Sequence, residues 1–243
     1  MPKQPLSSGE SAPIIIMVHG GAWCVGDMSG RAVVTNKVNR WVSKGFIFIS
    51  VNYRMLPDNA NVLAQVGDVA SAIAYIQTNA AKWNGNPSEI IVMGHSAGAH
   101  LVSLLGADPA LAAKYGAKPW LGTISLDSAA MNVSETMQAQ HPLFYDDAFG
   151  SSSSYWNEVS PLQHLSRNSL PWFGICSMRR KDSCPQAYAF SNLANKHGVK
   201  AQVLQEDMSH REINEKLGES GSYTSAVEAF MGSLSPDIQK RLN

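Results

Sequence analysis

Residues 94–98 form the pentapeptide Gly-His-Ser-Ala-Gly, which directly follows the apolar run at 90–93. In a strand–turn–helix unit, a serine at the centre of this spacing sits on a sharp turn that exposes its hydroxyl at the end of the sheet. Small residues two positions before and after the serine let the chain turn without clashes. The motif predicts that Ser96 is a nucleophile. A glycine-flanked serine in an ordinary tight turn is the alternative until its surroundings are considered.

Short β-rich apolar runs alternate with helical patterns along the whole chain. Near-continuous apolar strands are typical of a sheet that is covered on both faces, and strict alternation of strand and helix predicts parallel strands with right-handed crossovers. The active sites of such sheets gather at the carboxyl ends of the strands. The predicted strands are 14–18, 46–51, 90–93, 121–126, 172–177 and 200–205, and the predicted helices are 33–44, 62–81, 97–106, 185–197, 222–234 and 236–242.

Residues 131–170 interrupt this alternation, because they contain no clear strand. A connection of this length is usually functional or disordered, and its aromatic residues favour an ordered cap. The sequence shows no internal repeat and no sign of a second domain. We therefore expect one domain over residues 1–243 that carries this cap as an insertion.

Composition excludes several classes of partner. The chain has 19 basic and 19 acidic residues without a long like-charge run, which argues against nucleic acid and anionic membrane surfaces. No apolar stretch approaches the roughly 18 residues of a membrane span. The polar first dozen residues lack an apolar core for a secretory signal, which predicts a cytoplasmic protein, or a secreted or periplasmic one if a signal was removed.

Three cysteines are too few and too irregular for a disulfide framework, and no Cys/His spacing resembles a metal site. Cys176 and Cys184 are close enough in sequence to pair, but a reduced pair is the expectation. We expect no metal and no cofactor.

A second glycine-rich turn follows the first strand, as His19-Gly20-Gly21-Ala22-Trp23. Consecutive glycines allow backbone N–H groups to turn toward a developing negative charge. We therefore expect the N–H groups of Gly21, Ala22 and Ala97 to form an oxyanion hole beside Ser96. A purely structural β-to-α turn is the alternative.

With these motifs and the segment Val51-Asn52-Tyr53-Arg54-Met55-Leu56-Pro57, the chain resembles the α/β-hydrolase family over about residues 13–235. Within that family it is similar to small carboxylesterases with an H-G-G-x-W loop, in the branch of hormone-sensitive lipase and kynurenine formamidase. The resemblance implies a doubly wound, mainly parallel sheet of about six strands flanked by helices, with the cap near 131–170. Only thirteen residues precede Ile14, too few for the two further strands that usually open the family's sheet.

The family order of serine, acid and histidine implies the remaining site residues. The acid should follow the strand after the cap, which indicates Asp182, and the histidine should follow the last strand, which indicates His210. Asp207 is the second choice for the acid. His100, one turn after Ser96, is expected to serve packing. Trp23, Phe144 and Trp156 are candidate substrate-binding residues, although Trp23 could equally be part of the core.

These residues together predict a serine hydrolase that cleaves carboxylic esters with small to medium acyl chains through an acyl-enzyme. An arylformamidase or another amidase is the first alternative, because the same residues serve both reactions. A binding protein without catalysis on a hydrolase fold is the second alternative. The expected partner is a small-molecule ester, with the protein acting as a monomer or homodimer.

Overall fold

The computed structural model describes residues 11–243. Six parallel strands form one sheet in the order β2-β1-β3-β4-β5-β6. This confirms the prediction of a doubly wound parallel sheet. The strands are β1 (Ala12–Val18), β2 (Ile47–Val51), β3 (Gly85–His95), β4 (Gly122–Leu126), β5 (Trp172–Ser177) and β6 (Ala201–Glu206).

Helices occupy the connections between the strands and the end of the chain. The longer ones lie within a few residues of the predicted bounds. The α-helices are α1 (Arg31–Val42), α2 (Val62–Asn79), α3 (Ala97–Ala107), α4 (Pro109–Ala113), α5 (Val133–Gln138), α6 (Phe144–Phe149), α7 (Ser153–Glu158), α8 (Ser183–Lys196), α9 (His210–Glu215), α10 (Ser222–Gly232) and α11 (Pro236–Leu242), with 3₁₀ turns at Leu56–Asp58, Ala80–Trp83 and Pro161–His164.

The continuous apolar run of β1 is explained by burial on both faces of the sheet. Ile14 and Ile16 belong to one core cluster, whereas Ile15 and Met17 belong to a second cluster on the opposite face. All four are fully buried, and burying a side chain of this size contributes about 1.5–3 kcal/mol. Helices α2 and α3 cover the first face, and α1, α10 and α11 cover the second.

Residues 131–170 fold into three short helices and a 3₁₀ turn, and they contain no strand, as predicted. Met137, Tyr145, Phe149 and Val159 from this segment join the first core cluster. The Phe149 ring lies 4.8 Å from the indole of Trp23. Aromatic packing against the glycine-rich turn therefore orders the segment.

The structure differs from the predicted elements where local periodicity is weak. β3 begins at Gly85 instead of residue 90, because Gly85 pairs with Ala12 on the far side of an irregularity in the ladder. α9 was not predicted, since a helix of six residues is too short to show a period. It is defined by a capping box between Ser209 and Glu212.

Two sequence-based expectations concern the start of the chain and membrane spans. Residues 1–10, on which the absence of a signal was predicted, lie outside the described residues. Between residues 11 and 243, no helix combines the length and the apolar character that crossing a membrane requires.

Cys176 and Cys184 form a disulfide, so the expectation of a reduced pair is wrong. Cys176 lies near the end of β5 and Cys184 lies in the first turn of α8. The short connection between these elements brings the two Cα atoms to 5.1 Å, within the range that a disulfide spans. Sequence separation alone could not show this proximity.

α3 packs against β1 through a glycine. A methyl group on Gly98 would lie 2.4 Å from the carbonyl oxygens of Val18 and His19, so no side chain fits between the helix and the strand. Gly94 has the same role within the turn, because a methyl group there would lie 2.3 Å from the Gly98 carbonyl oxygen. Any side chain at either glycine of the pentapeptide would therefore clash with neighbouring backbone atoms.

We predict that Gly98→Ala lowers the free energy of unfolding by about 1–3 kcal/mol, the usual cost of overpacking. Gly198→Asn is the matched control, since nothing lies within 4 Å of a methyl group at Gly198 and asparagine tolerates its φ of +78°. Urea unfolding measures both variants. Equal losses for the two would contradict the close approach of α3 to β1.

Candidate active site

Ser96 lies on the turn between β3 and α3 with φ 57° and ψ −118°, a backbone conformation that is strained for a residue with a side chain. Its N–H donates to the Leu126 carbonyl at the end of the neighbouring β4, at 2.9 Å. The turn therefore holds the serine at the carboxyl edge of the sheet, where a cavity of about 650 Å³ opens.

His210 lines the same cavity and is the first residue of α9. The capping box of Ser209 and Glu212 starts the helix at this residue. Within residues 11–243, no hydrogen bond joins the His210 ring to the Ser96 hydroxyl. Such contacts are often long before substrate binds.

The His210 ring contacts the carboxylate of Asp127, which immediately follows β4 and is fully buried. His210 Nδ1 lies 2.5 Å from Asp127 Oδ2, and Arg180 Nη1 lies 3.1 Å from the same oxygen. The other oxygen accepts the Ser177 N–H at 2.8 Å and the Ser183 hydroxyl. Burial raises the pKa of Asp127, but the His210 hydrogen bond, the Arg180 charge and the remaining donors together hold it below its usual value.

The two carboxylates that the sequence indicated for this place lie elsewhere. Asp182 lines the cavity, but its half-exposed side chain pairs with the Arg180 guanidinium at 3.3 Å. Asp207, the second choice, is well exposed and pairs with Arg179 at 2.8 Å. Of the three, the structure brings only Asp127 against the His210 ring.

The sequence does contain a signal for Asp127, although a weak one. Asp127 comes directly after the predicted strand 121–126, and Ser96 comes within three residues of the end of the predicted strand 90–93. Since β3 and β4 are neighbours in the sheet, their carboxyl ends place the two residues at one edge. The family order favoured the strand after the cap and led to Asp182 instead.

The glycine-rich turn contains three consecutive residues with a positive φ. They are Gly21, Ala22 and Trp23, with φ of 126°, 51° and 60°. Gly20 approaches the serine closely, since a methyl group there would lie 2.8 Å from the Ser96 Cβ. In the described part of the chain, neither the Gly21 nor the Ala22 N–H donates a hydrogen bond. Both residues line the cavity together with Ala97, so the predicted oxyanion donors lie beside Ser96.

His100 holds this turn and the 131–170 segment together. Its Nδ1 accepts the Trp23 indole N–H at 3.2 Å, and its Nε2–H donates to the Val159 carbonyl at 2.7 Å. Burial lowers the pKa of His100 to about 4, so the ring is neutral and both nitrogens are used. The expectation that His100 serves packing agrees with this position.

His95, the residue before Ser96, supports His210. Its Nε2–H donates to the His210 carbonyl at 3.0 Å, and the two rings lie 4.5 Å apart. Burial and the neighbouring His210 lower the pKa of His95 to about 3, which keeps this ring neutral.

The cavity wall is mainly aromatic on the side of the 131–170 segment. Phe144 and Tyr145 line it, and the Tyr145 ring lies 5.7 Å from the Trp23 indole. Trp23 is also 98% buried and belongs to the first core cluster, as its alternative interpretation expected, and its role in binding substrate stays a prediction. Trp156, predicted to bind substrate, is not among the lining residues: its indole N–H donates to the Gly150 carbonyl at 3.0 Å.

α9, which carries His210, rests on a buried lysine from α1. Lys37 Nζ donates to the Asn214 carbonyl at 2.5 Å and to the Asn214 side-chain oxygen at 2.9 Å. Burial lowers the pKa of Lys37 to about 7, with a small opposing effect from Glu215.

The chain matches one family model and several named proteins. The model described as BD-FAE matches residues 3–180. Esterase LipQ from Mycobacterium tuberculosis is 30% identical over 179 residues, which are 69% of this chain and 42% of that protein. Esterase LipC from the same organism is 29% identical over 205 residues, which are 74% of this chain and 45% of that protein. The chain thus spans less than half the length of these two relatives.

Solved structures show the same fold at low identity. An esterase from Thermogutta terrifontis, Est2, superposes with a TM-score of 0.75 at 18% identity, covering 96% of this chain and 85% of that one. An acetyl ester-xyloside bifunctional hydrolase from Caldicellulosiruptor lactoaceticus superposes with a TM-score of 0.74 at 20% identity, covering 94% and 85%. Both likenesses establish the α/β-hydrolase fold.

We predict that Lys37 makes stability depend on pH. The pKa of Lys37 is about 7 when folded and rises to its ordinary 10.5 on unfolding, so the unfolded chain binds more protons between these values. The stability cost of Lys37 is full below pH 7 and is relieved as pH rises toward 10. The free energy of unfolding of Lys37→Met minus that of wild type should therefore fall by up to about 1.4 kcal/mol per pH unit in this window.

Urea unfolding from pH 6 to pH 10 measures this difference, with Lys82→Met on the exposed surface as control. Parallel stability curves for wild type and Lys37→Met would contradict a buried, weakly basic Lys37.

Proposed function

Because this chain belongs to the BD-FAE family, we propose that it is a serine hydrolase that cleaves carboxylic esters with small to medium acyl chains. The observation that carries the proposal is the His210 ring, which contacts buried Asp127 on one side and lines the cavity of Ser96 on the other. The named relatives LipQ and LipC, both called esterases, support the choice of an ester as substrate.

The proposed mechanism begins with attack of the Ser96 oxygen on the ester carbonyl. His210 Nε2 takes the hydroxyl proton while Nδ1–H donates to Asp127, which holds the tautomer and stabilises the imidazolium. His210 then returns the proton to the leaving alcohol and leaves an acyl group on Ser96. Water, deprotonated by His210, attacks the acyl-enzyme and releases the acid.

The oxyanion of each tetrahedral intermediate would accept the N–H groups of Gly21, Ala22 and Ala97. The left-handed turn at residues 21–23 supports this role, because it leaves two N–H groups without partners in the described chain at the edge of the cavity. The third donor, the Ala97 N–H, lies at the start of α3, where the first N–H groups of a helix have no partner within the helix. The loss of one such donor typically costs about 10²–10³ in rate.

We assign the orienting carboxylate to Asp127 in place of Asp182. A carboxylate that orients a catalytic histidine must touch its Nδ1 and remain ionised, and Asp127 meets both conditions. Asp182 instead balances the charge of Arg180.

Substrate would enter between the glycine-rich turn and the 131–170 segment, which we propose acts as the cap of a single domain. Trp23, Phe144 and Tyr145 offer apolar surface for an acyl or alcohol group, and Arg180 and Asp182 add polar groups to the lining. The aromatic lining also favours the alternative of an arylformamidase, since a flat aromatic group fits against such rings.

The reaction needs one chain, whether monomer or homodimer, because every proposed catalytic group lies on it. The disulfide between Cys176 and Cys184 supports an oxidising compartment as the place of action over the predicted cytoplasm, since structural disulfides are rare under reducing conditions.

Substitution of the nucleophile tests the reaction. Ser96→Ala should abolish hydrolysis of a p-nitrophenyl ester while the circular dichroism spectrum stays native. A protein that retains a large fraction of its activity without the Ser96 hydroxyl would rule out this nucleophile.

The choice between esterase and formamidase is decided by comparing kcat/KM of the wild-type protein for short-chain esters with its kcat/KM for N-formylkynurenine.

Substitution of the acids tests the assignment of Asp127. Asp127→Asn should lower kcat by about 10³–10⁴, because the amide favours the wrong histidine tautomer. Asp182→Asn is the matched control and should change kcat by less than about tenfold, since its partner is Arg180. A greater loss for Asp182→Asn than for Asp127→Asn would return the role to Asp182.

A further inference from the structure

The disulfide between Cys176 and Cys184 closes a short segment at the edge of the cavity, residues 177–183. Cys176 lies in β5 and Cys184 lies in α8, and both are buried, with 1% and 7% of their surface exposed. The bond therefore joins the end of a core strand to the start of a helix directly beside the Asp127–His210 pair.

Apart from His210, every hydrogen-bond donor to the Asp127 carboxylate within residues 11–243 belongs to this closed segment. Ser177 donates its backbone N–H, Ser183 donates its hydroxyl, and Arg180 donates from its guanidinium. Two of the three donors are direct sequence neighbours of the bonded cysteines. The position of each sulfur thus limits where the neighbouring donor can lie.

The closed segment also contacts the residues before His210. The Ser177 hydroxyl donates to the Met208 carbonyl at 2.6 Å, and the Arg179 guanidinium donates to the Asp207 carbonyl at 2.8 Å. The segment therefore contacts both members of the pair directly, since Arg180 Nη1 also lies 3.1 Å from His210 Nδ1, and it is bonded to His210 as well through the chain that precedes it.

The start of α8 has no side-chain N-cap in the described structure. Asp182 occupies the N-cap position, but its side chain caps no N–H of the helix and pairs with Arg180. Because a capping side chain commonly stabilises this position and none is present, the Cys184 disulfide and the Ser183–Asp127 hydrogen bond restrain the first turn in its place.

We propose that the Cys176–Cys184 disulfide is a positioning element of the active site, which holds the Ser177 and Ser183 donors on Asp127 and thereby the orientation of His210. The proposal rests on the function proposed above, in which Asp127 orients His210. A disulfide that only stabilises the fold would change the melting temperature and leave kcat unchanged. The proposal instead predicts that loss of this disulfide lowers kcat.

A double-mutant cycle on kcat tests the proposal. The variants are C176A/C184A, Ser183→Ala and their combination, with Ser183→Thr as the conservative variant that keeps the hydroxyl. We expect each of the first two to lower kcat about tenfold with KM within about twofold, and the combination to lose little more than either alone. Such non-additivity is the signature of groups that act through one another. Ser183→Thr should restore most of the loss.

Val199→Ala is the matched control for stability. Val199 is buried in the same core cluster as Cys176 and Cys184 but makes no hydrogen bond to the closed segment. It should lower the melting temperature and leave kcat unchanged when all variants are assayed well below their melting temperatures. A disulfide that is only structural would give the same result, an unchanged kcat for C176A/C184A, and this would overturn the proposal, as would fully additive losses.

Reduction of the wild-type protein provides a second measurement if C176A/C184A fails to fold. Dithiothreitol transfers two electrons to the disulfide, which takes up two protons to give two thiols, while the reagent closes to a cyclic disulfide. The kcat should fall in proportion to the thiols trapped at Cys176 and Cys184 and return on reoxidation. A fully reduced enzyme with unchanged kcat overturns the proposal.

The failure of this proposal is distinct from failure of the proposed function. If Asp127→Asn retains wild-type kcat, the role of Asp127 is wrong and the positioning proposal falls with it. If Asp127→Asn loses activity while C176A/C184A keeps the wild-type kcat, only the role of the disulfide is wrong.

Discussion

The buried carboxylate of Asp127 is the constraint around which one side of this molecule is organised. An ionised carboxylate without access to water is costly unless charges and hydrogen bonds compensate it. Four donors meet this requirement, and they come from β5, the connection to α8, α8 itself and α9. The elements that surround the cavity on this side are therefore held to one another through a single side chain.

The other side of the cavity depends on a neutral histidine. His100 joins three parts of the chain, because it lies on α3, accepts from Trp23 and donates to Val159. The proposed nucleophile, the oxyanion turn and the 131–170 segment are thereby bonded through one ring. Since Trp23 carries a left-handed φ, this bond also holds a strained conformation that local interactions alone would not favour.

Ser96 and the glycine-rich turn, which local motifs indicated, both line the cavity. Ser96 and the turn at residues 20–23 follow strands with glycines at positions where a side chain would clash. His210, which the family order implied from its place after the last strand, lines the cavity too. Asp127 has no comparable pattern, since one aspartate after a strand is common and its partners lie up to 83 residues away in sequence. The choice of Asp182 came from the order of family elements, which does not state where a side chain points.

By itself, the sequence determined the parallel sheet, the serine turn and the glycine-rich turn, because strand periodicity and close backbone approach leave direct traces in neighbouring residues. Only the tertiary structure decided which carboxylate meets His210, which cysteines pair and which aromatic residues line the cavity. Those choices depend on the neighbours of β4 and β5 in the sheet and on the direction of each side chain. For Asp127 and His210 the contact joins residues 83 apart, and for Cys176 and Cys184, only eight apart, it depends on how β5 and α8 are oriented. Neither kind of contact leaves a local pattern in the sequence.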